Sequence, residues 1–282
     1  MTSLSTPVRT HVEAELNYLQ PNGARPVNYA YPAPAGVPQS SGIVSTHRVS
    51  IANARVLSQP PTLDSHGFTL VPHRSQLSSV EEYLDERVLR ERYYAESSEL
   101  IKRVTGAEHV VIFDHTLRLD IKDHQQAGIR EPVRRVHNDQ TFVSGPRRVR
   151  DHLPPAEAEE RLGHRFAILN LWRPIGAPVE TAPLALCDAR SIAESDLIPT
   201  DLVYRDKVGE TYSFTYDARH RWFYYPQITP DEVVLLKIYD SRSDGRARLT
   251  AHTAFDDPNS PSDAPARRSI ELRTLAFWPA GS

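Results

Sequence analysis

Three ligating side chains and a basic anchor follow one another along this chain: His137-Asn138-Asp139, then His252, then Arg267-Arg268-Ser269. Two neutral imidazoles and one carboxylate can cover one face of an Fe(II) ion and leave the other positions open for an oxo-acid and O₂. A guanidinium two residues before a hydroxyl suits the distal carboxylate of that oxo-acid, because the planar fork makes two parallel N–H···O bonds and the hydroxyl adds a contact to the second oxygen. Together they form the pattern of a non-heme iron centre with His137, Asp139 and His252 as metal ligands. In this pattern 2-oxoglutarate is the co-substrate, bound by Arg267 and Ser269.

Each piece alone is cheap. With twelve histidines, about one or two His-x-Asp/Glu matches are expected by chance. The two that occur are His11-Val12-Glu13 and His137-Asn138-Asp139. The first lies near the N-terminus, where fraying is common. The second follows the valine-containing stretch Val133–Val136 and precedes Thr141-Phe142-Val143, a context that allows a strand. On a strand, His137 and Asp139 share a face while Asn138 points away. His252 is followed fifteen residues later by Arg267-x-Ser269, the one Arg-x-Ser downstream of His137-x-Asp139; the other in the chain, Arg48-x-Ser50, follows His47 and precedes both ligand blocks. Arg267–Phe277 alternates as a strand, with Arg267, Ser269, Glu271 and Arg273 on one face and Ile270, Leu272 and Ala276 on the other. Exposed polar positions of an antiparallel sheet would explain any one of these pairs. They do not explain the set in this order.

The elements that must position these residues are mostly strands. Val110–Phe113, Thr116–Ile121, Phe166–Trp172, Thr211–Tyr216, Trp222–Tyr225, Val233–Tyr239 and Ser269–Phe277 read as short strands with turn residues between them, interrupted only by a short helix at Pro155–Leu162. Ile43–Leu57 and Phe68–Val71 precede them. Ser78–Val104 reads as one long helix, with Ser78 and Ser79 each three residues before a glutamate and Gly106 at the stop. The fold class expected is mainly β with flanking helices, around a double-stranded β-helix (a cupin-like jelly roll). Residues 1–42 are expected to form an irregular arm, Pro- and Ala-rich over Pro21–Ser41, and residues 43–282 a single jelly-roll domain.

The 282 residues carry a formal net charge of −3 with no basic block, which argues against nucleic acid. The single cysteine, Cys187, leaves no internal disulfide and no thiolate metal site. No apolar run reaches membrane length, and Met1–Ala35 lacks the basic start and apolar core of a signal peptide, so the expected location is the cytoplasm.

With the ligands placed, further blocks become legible: Val136-His137-Asn138-Asp139-Gln140, Asn170-Leu171-Trp172-Arg173-Pro174, Pro183-Leu184-Ala185-Leu186-Cys187-Asp188, Gly209-Glu210-Thr211-Tyr212, His220-Arg221-Trp222-Phe223-Tyr224-Tyr225-Pro226, Lys237-Ile238-Tyr239-Asp240-Ser241 and His252-Thr253-Ala254-Phe255. From about Ile43 to the C-terminus these resemble the AsaB and gibberellin-desaturase-like hydroxylase/desaturases, a family of non-heme Fe(II)/2-oxoglutarate oxygenases. One departure is Arg268, where the family tends to carry a glutamate; it leaves Arg267 and Ser269 intact.

The resemblance implies that 2-oxoglutarate chelates Fe(II), that O₂ binds, and that decarboxylation to succinate yields an oxidant able to take hydrogen from an unactivated C–H. The substrate implied is a small natural product. The family's bacterial branch that hydroxylates cephalosporins in cephamycin biosynthesis is the nearest in length and composition. It predicts C7 of a cephalosporin as the target, with a methyltransferase acting on the product. Asn170 is expected beside the cofactors. Trp172, Arg173, Lys237 and Arg273 are candidate substrate contacts, a cephalosporin needing a cation besides Arg267. For Trp172 and Lys237 a packing or surface role is equally open, and Arg173 also reads as a structural ion-pair partner. Three rivals remain: desaturation or cyclisation of another scaffold at the same iron, a cupin-like metalloenzyme without 2-oxoglutarate, and a metal-free binding partner.

Overall fold

The computed structural model describes residues 9–119 and 132–281. Its strands in chain order are β1 (His11–Gln20), β2 (Val27–Tyr29), β3 (Ile43–Asn53), β4 (Phe68–Pro72), β5 (His109–Arg118), β6 (His137–Asn138), β7 (Phe166–Pro174), β8 (Leu184–Cys187), β9 (Leu197–Val203), β10 (Val208–Phe214), β11 (Trp222–Tyr224), β12 (Glu232–Asp240), β13 (His252–Ala254) and β14 (Ser269–Phe277). They form a nine-stranded sheet in the order β1-β3-β11-β8-β13-β6-β10-β9-β2 and a five-stranded sheet in the order β4-β12-β7-β14-β5. The architecture is the expected jelly-roll class.

β7 is buried along its whole length because both faces of the five-stranded sheet are covered, as in sheets whose strands read as continuous apolar runs. Phe166, Ile168 and Trp172 join one apolar cluster with Leu184, Leu186, Leu236 and Phe277, between the sheets. Ala167, Leu169 and Leu171 join a second, with Leu89, Tyr93, Leu100 and Ile101 of the helical segment.

That helical segment is broken. Ser79 makes the expected capping box with Glu82, but the backbone turns extended at Asp85, whose carboxylate then accepts from the N–H groups of Arg87 and Val88 and starts a new helix. An aspartate that reads as one more polar position thus acts as a second N-cap. The helix then runs through Leu89–Tyr93 to Thr105, and Gly106 closes it at φ 73°, a left-handed conformation that glycine adopts without a Cβ clash. The strand expected to continue past His137 also stops early. β6 holds two residues, and the Thr141 hydroxyl accepts from the Ser144 N–H at 2.9 Å, leading into a helix over Ser144–His152.

The irregular arm expected over residues 1–42 is corrected by two strands. β1 pairs antiparallel with β3 over ten residues, His11↔Ala52 to Gln20↔Ile43, and β2 pairs parallel with β9. β1 alternates cleanly, burying Val12, Ala14, Leu16 and Tyr18, the period-two pattern of a strand with one face on a core. These residues share a third apolar cluster with Ile51, Val136, Cys187 and Trp222. The Val136 N–H donates to the Asn17 carbonyl at 2.9 Å, which fastens the N-terminal strand to the chain just before His137. No helix of the described residues is long and apolar enough to cross a membrane.

Candidate metal centre

His137 ends up opposite His252 in the β6–β13 pair. Their rings lie 4.3 Å apart between centroids, tilted by 51°. Asp139 follows one residue beyond β6, with Oδ1 3.5 Å from His137 Nε2. One ligand atom from each of His137, Asp139 and His252 lies within 4.8 Å of the others, the arrangement a single ion needs. His137 Nδ1 meets the Arg135 carbonyl at 2.7 Å. A carbonyl only accepts, so the proton sits on Nδ1 and the Nε2 lone pair faces the cluster.

The electrostatics keep the set in ligating form. Burial, with the neighbouring His252, pushes His137 down to about 4 against the pull of Asp139. Burial also lowers His252. For Asp139, burial acts upward but is outweighed by Arg273 and the two imidazoles, with the Asn170 amide adding to them, so the carboxyl lies well below its usual range. At neutral pH the centre holds two neutral imidazoles and one carboxylate.

The other sequence-predicted residues divide. Asn170 and Arg273 face each other in the β7–β14 pair and both donate to Asp139 Oδ2, at 2.8 Å and 3.2 Å. Ser269 and Glu271 share the face of Arg273, by alternation along β14. The buried Arg267 lies 5.3 Å over the Trp172 ring and donates to the Ala182 carbonyl at 2.5 Å.

Arg173 and Lys237 are not brought to the centre. The Arg173 guanidinium is spent on the carbonyls of His73 and Pro230, at 2.9 and 2.7 Å, and on the His73 ring. Among the described residues it makes no ion pair either. Lys237 pairs with Asp64 and Asp240, both at 2.9 Å. Each lies one residue out of phase with the inward side chains of its strand, Trp172 in β7 and Leu236 in β12. Arg273, expected as a substrate cation, is held by Asp139, Asp114, Thr116 and Glu271.

The residues missed lie on β5. Asp114, Thr116 and Arg118 alternate with His115 and Leu117, and Arg118 stands opposite Ser269. The Asp-x-Thr-x-Arg alternation was the available signal, but a register shift between Arg273 and Thr274 hides its phase relative to β14.

A family model described as an oxidoreductase/YMDC permease-like domain matches residues 16–277. The hydroxylase/desaturase efuI of Hormonema carpetanum is 37% identical over 241 residues, 77% of this chain and 79% of that protein. The Fe(II)/2-oxoglutarate-dependent dioxygenase nvfI of Aspergillus novofumigatus is 34% identical over 277 residues, 95% of this chain and 98% of its own. A solved structure of the iron and alpha-ketoglutarate-dependent endoperoxidase NvfI matches with a TM-score of 0.85 at 32% identity, over 96% of this chain and 99% of that one. The chain belongs to the hydroxylase/desaturase family of Fe(II)/2-oxoglutarate-dependent dioxygenases.

The dioxygenase uses Fe(II), with 2-oxoglutarate and O₂ as co-substrates. Two buried polar atoms of this chain fit the co-substrate. Arg267 Nε and Ser269 Oγ have no hydrogen-bond partner among the described residues, a costly state for groups removed from water. Burial and the like charge of Arg118 hold the Arg267 guanidinium down to about 9, against the opposing pull of Glu271. A dicarboxylate entering here would give the orphaned donors acceptors and the guanidinium a counter-charge. The donor set of His137, Asp139 and His252, all nitrogen and oxygen with no thiolate, fits Fe(II) in the same way.

Proposed function

We propose that this dioxygenase oxidises an unactivated C–H bond of a small natural product, with Fe(II) held by His137, Asp139 and His252 and the distal carboxylate of 2-oxoglutarate held by Arg267 and Ser269. The observation that carries this reading is the pair of orphaned donors, Arg267 Nε and Ser269 Oγ, in a chain whose three ligating side chains already converge. A cupin-like enzyme working without an oxo-acid would have no use for a buried, unneutralised arginine there.

When bound, iron and 2-oxoglutarate together reduce O₂ and supply an oxidant strong enough to remove hydrogen from carbon. The chain's own residues do the rest. His137 and His252 stay neutral and so remain donors, Asp139 stays ionised, and Arg267 fixes the oxo-acid by its far end. Seating the ligands between the two sheets, with His252 buried and His137 and Asp139 only partly exposed, limits the access of bulk water to the reactive atoms.

Hydroxylation is the outcome we favour, and desaturation, cyclisation and peroxide formation begin with the same hydrogen removal. A named relative is an endoperoxidase, so the fate of the carbon radical is a matter of how the substrate is held. Support for a cephalosporin as substrate is thinner. A cephalosporin brings carboxylates that need cations beyond Arg267, and Arg173, Lys237 and Arg273 are all engaged elsewhere. The pairing with a methyltransferase depends on that substrate. The test is aerobic incubation of iron-loaded protein with 2-oxoglutarate and a panel of small natural-product scaffolds alongside cephalosporin C. Succinate formed in step with a product changed by one oxygen or two hydrogens supports the reading. Succinate formation that no small-molecule scaffold stimulates, and that persists in an Arg267→Leu protein, would contradict it.

A further inference from the structure

Both donors that reach Asp139 fall on the same oxygen. Asn170 Nδ2 lies 2.8 Å from Oδ2 and Arg273 Nε lies 3.2 Å from it. The other oxygen, Oδ1, is the one 3.5 Å from His137 Nε2, on the side where the ligating atoms gather. We propose that Arg273 and Asn170 are positioning residues that restrict Asp139 to ligation through Oδ1 alone. The proposal rests on the reading of His137, Asp139 and His252 as the iron ligands and adds a function to residues outside that set.

Two features separate this from ordinary packing. Asn170 is fully buried in a central strand, and its Oδ1 has no hydrogen-bond partner among the described residues. Its bond to Asp139 is then the one use its amide nitrogen is put to. An asparagine buried at the cost of one unsatisfied oxygen is hard to account for by stability. Arg273 in turn is locked from behind. Nη1 donates to Asp114 at 2.9 Å and to Thr116 at 2.8 Å, and Nη2 donates to Glu271 at 2.6 Å. With these ties the guanidinium cannot follow Asp139 if the carboxylate rotates. Chelation by both oxygens would need Oδ2 to turn toward the metal and give up both donors.

The consequence for the reaction is in the number of open positions. Three protein ligand atoms would leave positions on the ion for a two-point oxo-acid and O₂. A bidentate Asp139 would take one of them. Second-sphere partners of this kind commonly change metal affinity by about ten- to a hundred-fold when removed.

The test uses Co(II) as an air-stable stand-in for Fe(II), in the full-length chain with and without 2-oxoglutarate. Asn170→Ala and Arg273→Gln are each expected to weaken Co(II) binding by about ten-fold or more and to change the visible ligand-field absorption of the 2-oxoglutarate complex. Arg273→Lys, which restores a charge and one donor, should recover part of the affinity. Arg273→Gln leaves Glu271 and Asp114 without a partner and risks misfolding; Asn170→Ala disturbs only the one bond and keeps the test sharp, with thermal melting of the metal-free protein as control. Unchanged Co(II) affinity and absorption in Asn170→Ala and Arg273→Lys, with binding abolished in His137→Ala, would overturn the proposal alone. Wild-type Co(II) binding by His137→Ala would overturn the ligand reading beneath it.

Discussion

The Arg267 guanidinium sits 5.3 Å over the face of Trp172, so the residue proposed to anchor the oxo-acid is itself held by an indole. Trp172 is almost fully buried, and a desolvated cation–π contact is worth about 2 kcal/mol. Trp172→Leu should raise the KM for 2-oxoglutarate by roughly ten-fold or more, with Trp172→Phe much closer to wild type. An unchanged KM in a Leu variant that still melts cooperatively would reduce Trp172 to core packing.

Arg267→Lys keeps the charge but loses the fork. The expected result is a rise in KM for 2-oxoglutarate of about ten- to a hundred-fold, the equivalent of one to two charge-assisted hydrogen bonds. Fe(II) or Co(II) affinity without the oxo-acid should be unaffected, because Arg267 touches none of the ligating atoms. Loss of metal binding in this variant would show that the anchor has been misplaced.

Much of this was legible because alternation along a strand assigns faces without further information. The Ser269, Glu271, Arg273 face of β14, with Arg267 just before the strand, is read directly from spacing, and so is the outward phase of Arg173 in β7. Roles were harder to read than faces. Arg273 and Asn170 carry no mark in the sequence that they meet Asp139, since that contact depends on the register between β7 and β14 and on where β6 ends. Lys237 sits in a strand buried on both faces, so its hydropathy does not say which side holds the iron. The N-terminal segment is a different case. Val12, Ala14, Leu16 and Tyr18 alternate as clearly as any strand here, but a strand near a terminus needs a neighbour to pair with, and nothing in the sequence marks β3 as that neighbour.

β1 is expected to matter for stability, unlike a loose arm. Leu16 is 1% exposed, and Leu→Ala at such sites costs about 2–5 kcal/mol. Tyr18 accepts from Trp222 Nε1 at 2.8 Å and pairs with His220 Nδ1 at 3.1 Å. Tyr18→Phe therefore leaves a buried indole N–H without an acceptor, at about 1–3 kcal/mol. Urea denaturation of both variants checks this. Losses below a few tenths of a kcal/mol would mean that the β1–β3 pairing contributes little.

Stability should also fall on mild acidification. Burial lowers His73, His115 and His252, and takes His137 down to about 4. The unfolded chain takes up protons at these sites near the ordinary value of about 6.5, while the folded chain resists until lower pH. The stability from the neutral rings is thus fully present above about 6.5 and is lost as the pH drops from there toward 4. Metal-free protein should melt at clearly lower temperature at pH 5 than at pH 7.5, and His137→Gln should flatten part of that slope. A melting temperature that holds steady or rises toward pH 5 would contradict the assignment of buried neutral histidines.

The most direct test of the central claim is anaerobic absorbance of the Fe(II)–2-oxoglutarate complex. A metal-to-ligand charge-transfer band requires iron held by the protein and the oxo-acid chelating it at once. Wild-type protein should develop the band on addition of both, while His252→Ala and Asp139→Ala, shown to be folded by circular dichroism, should not. The same band at full intensity in folded His252→Ala would show that iron is held elsewhere.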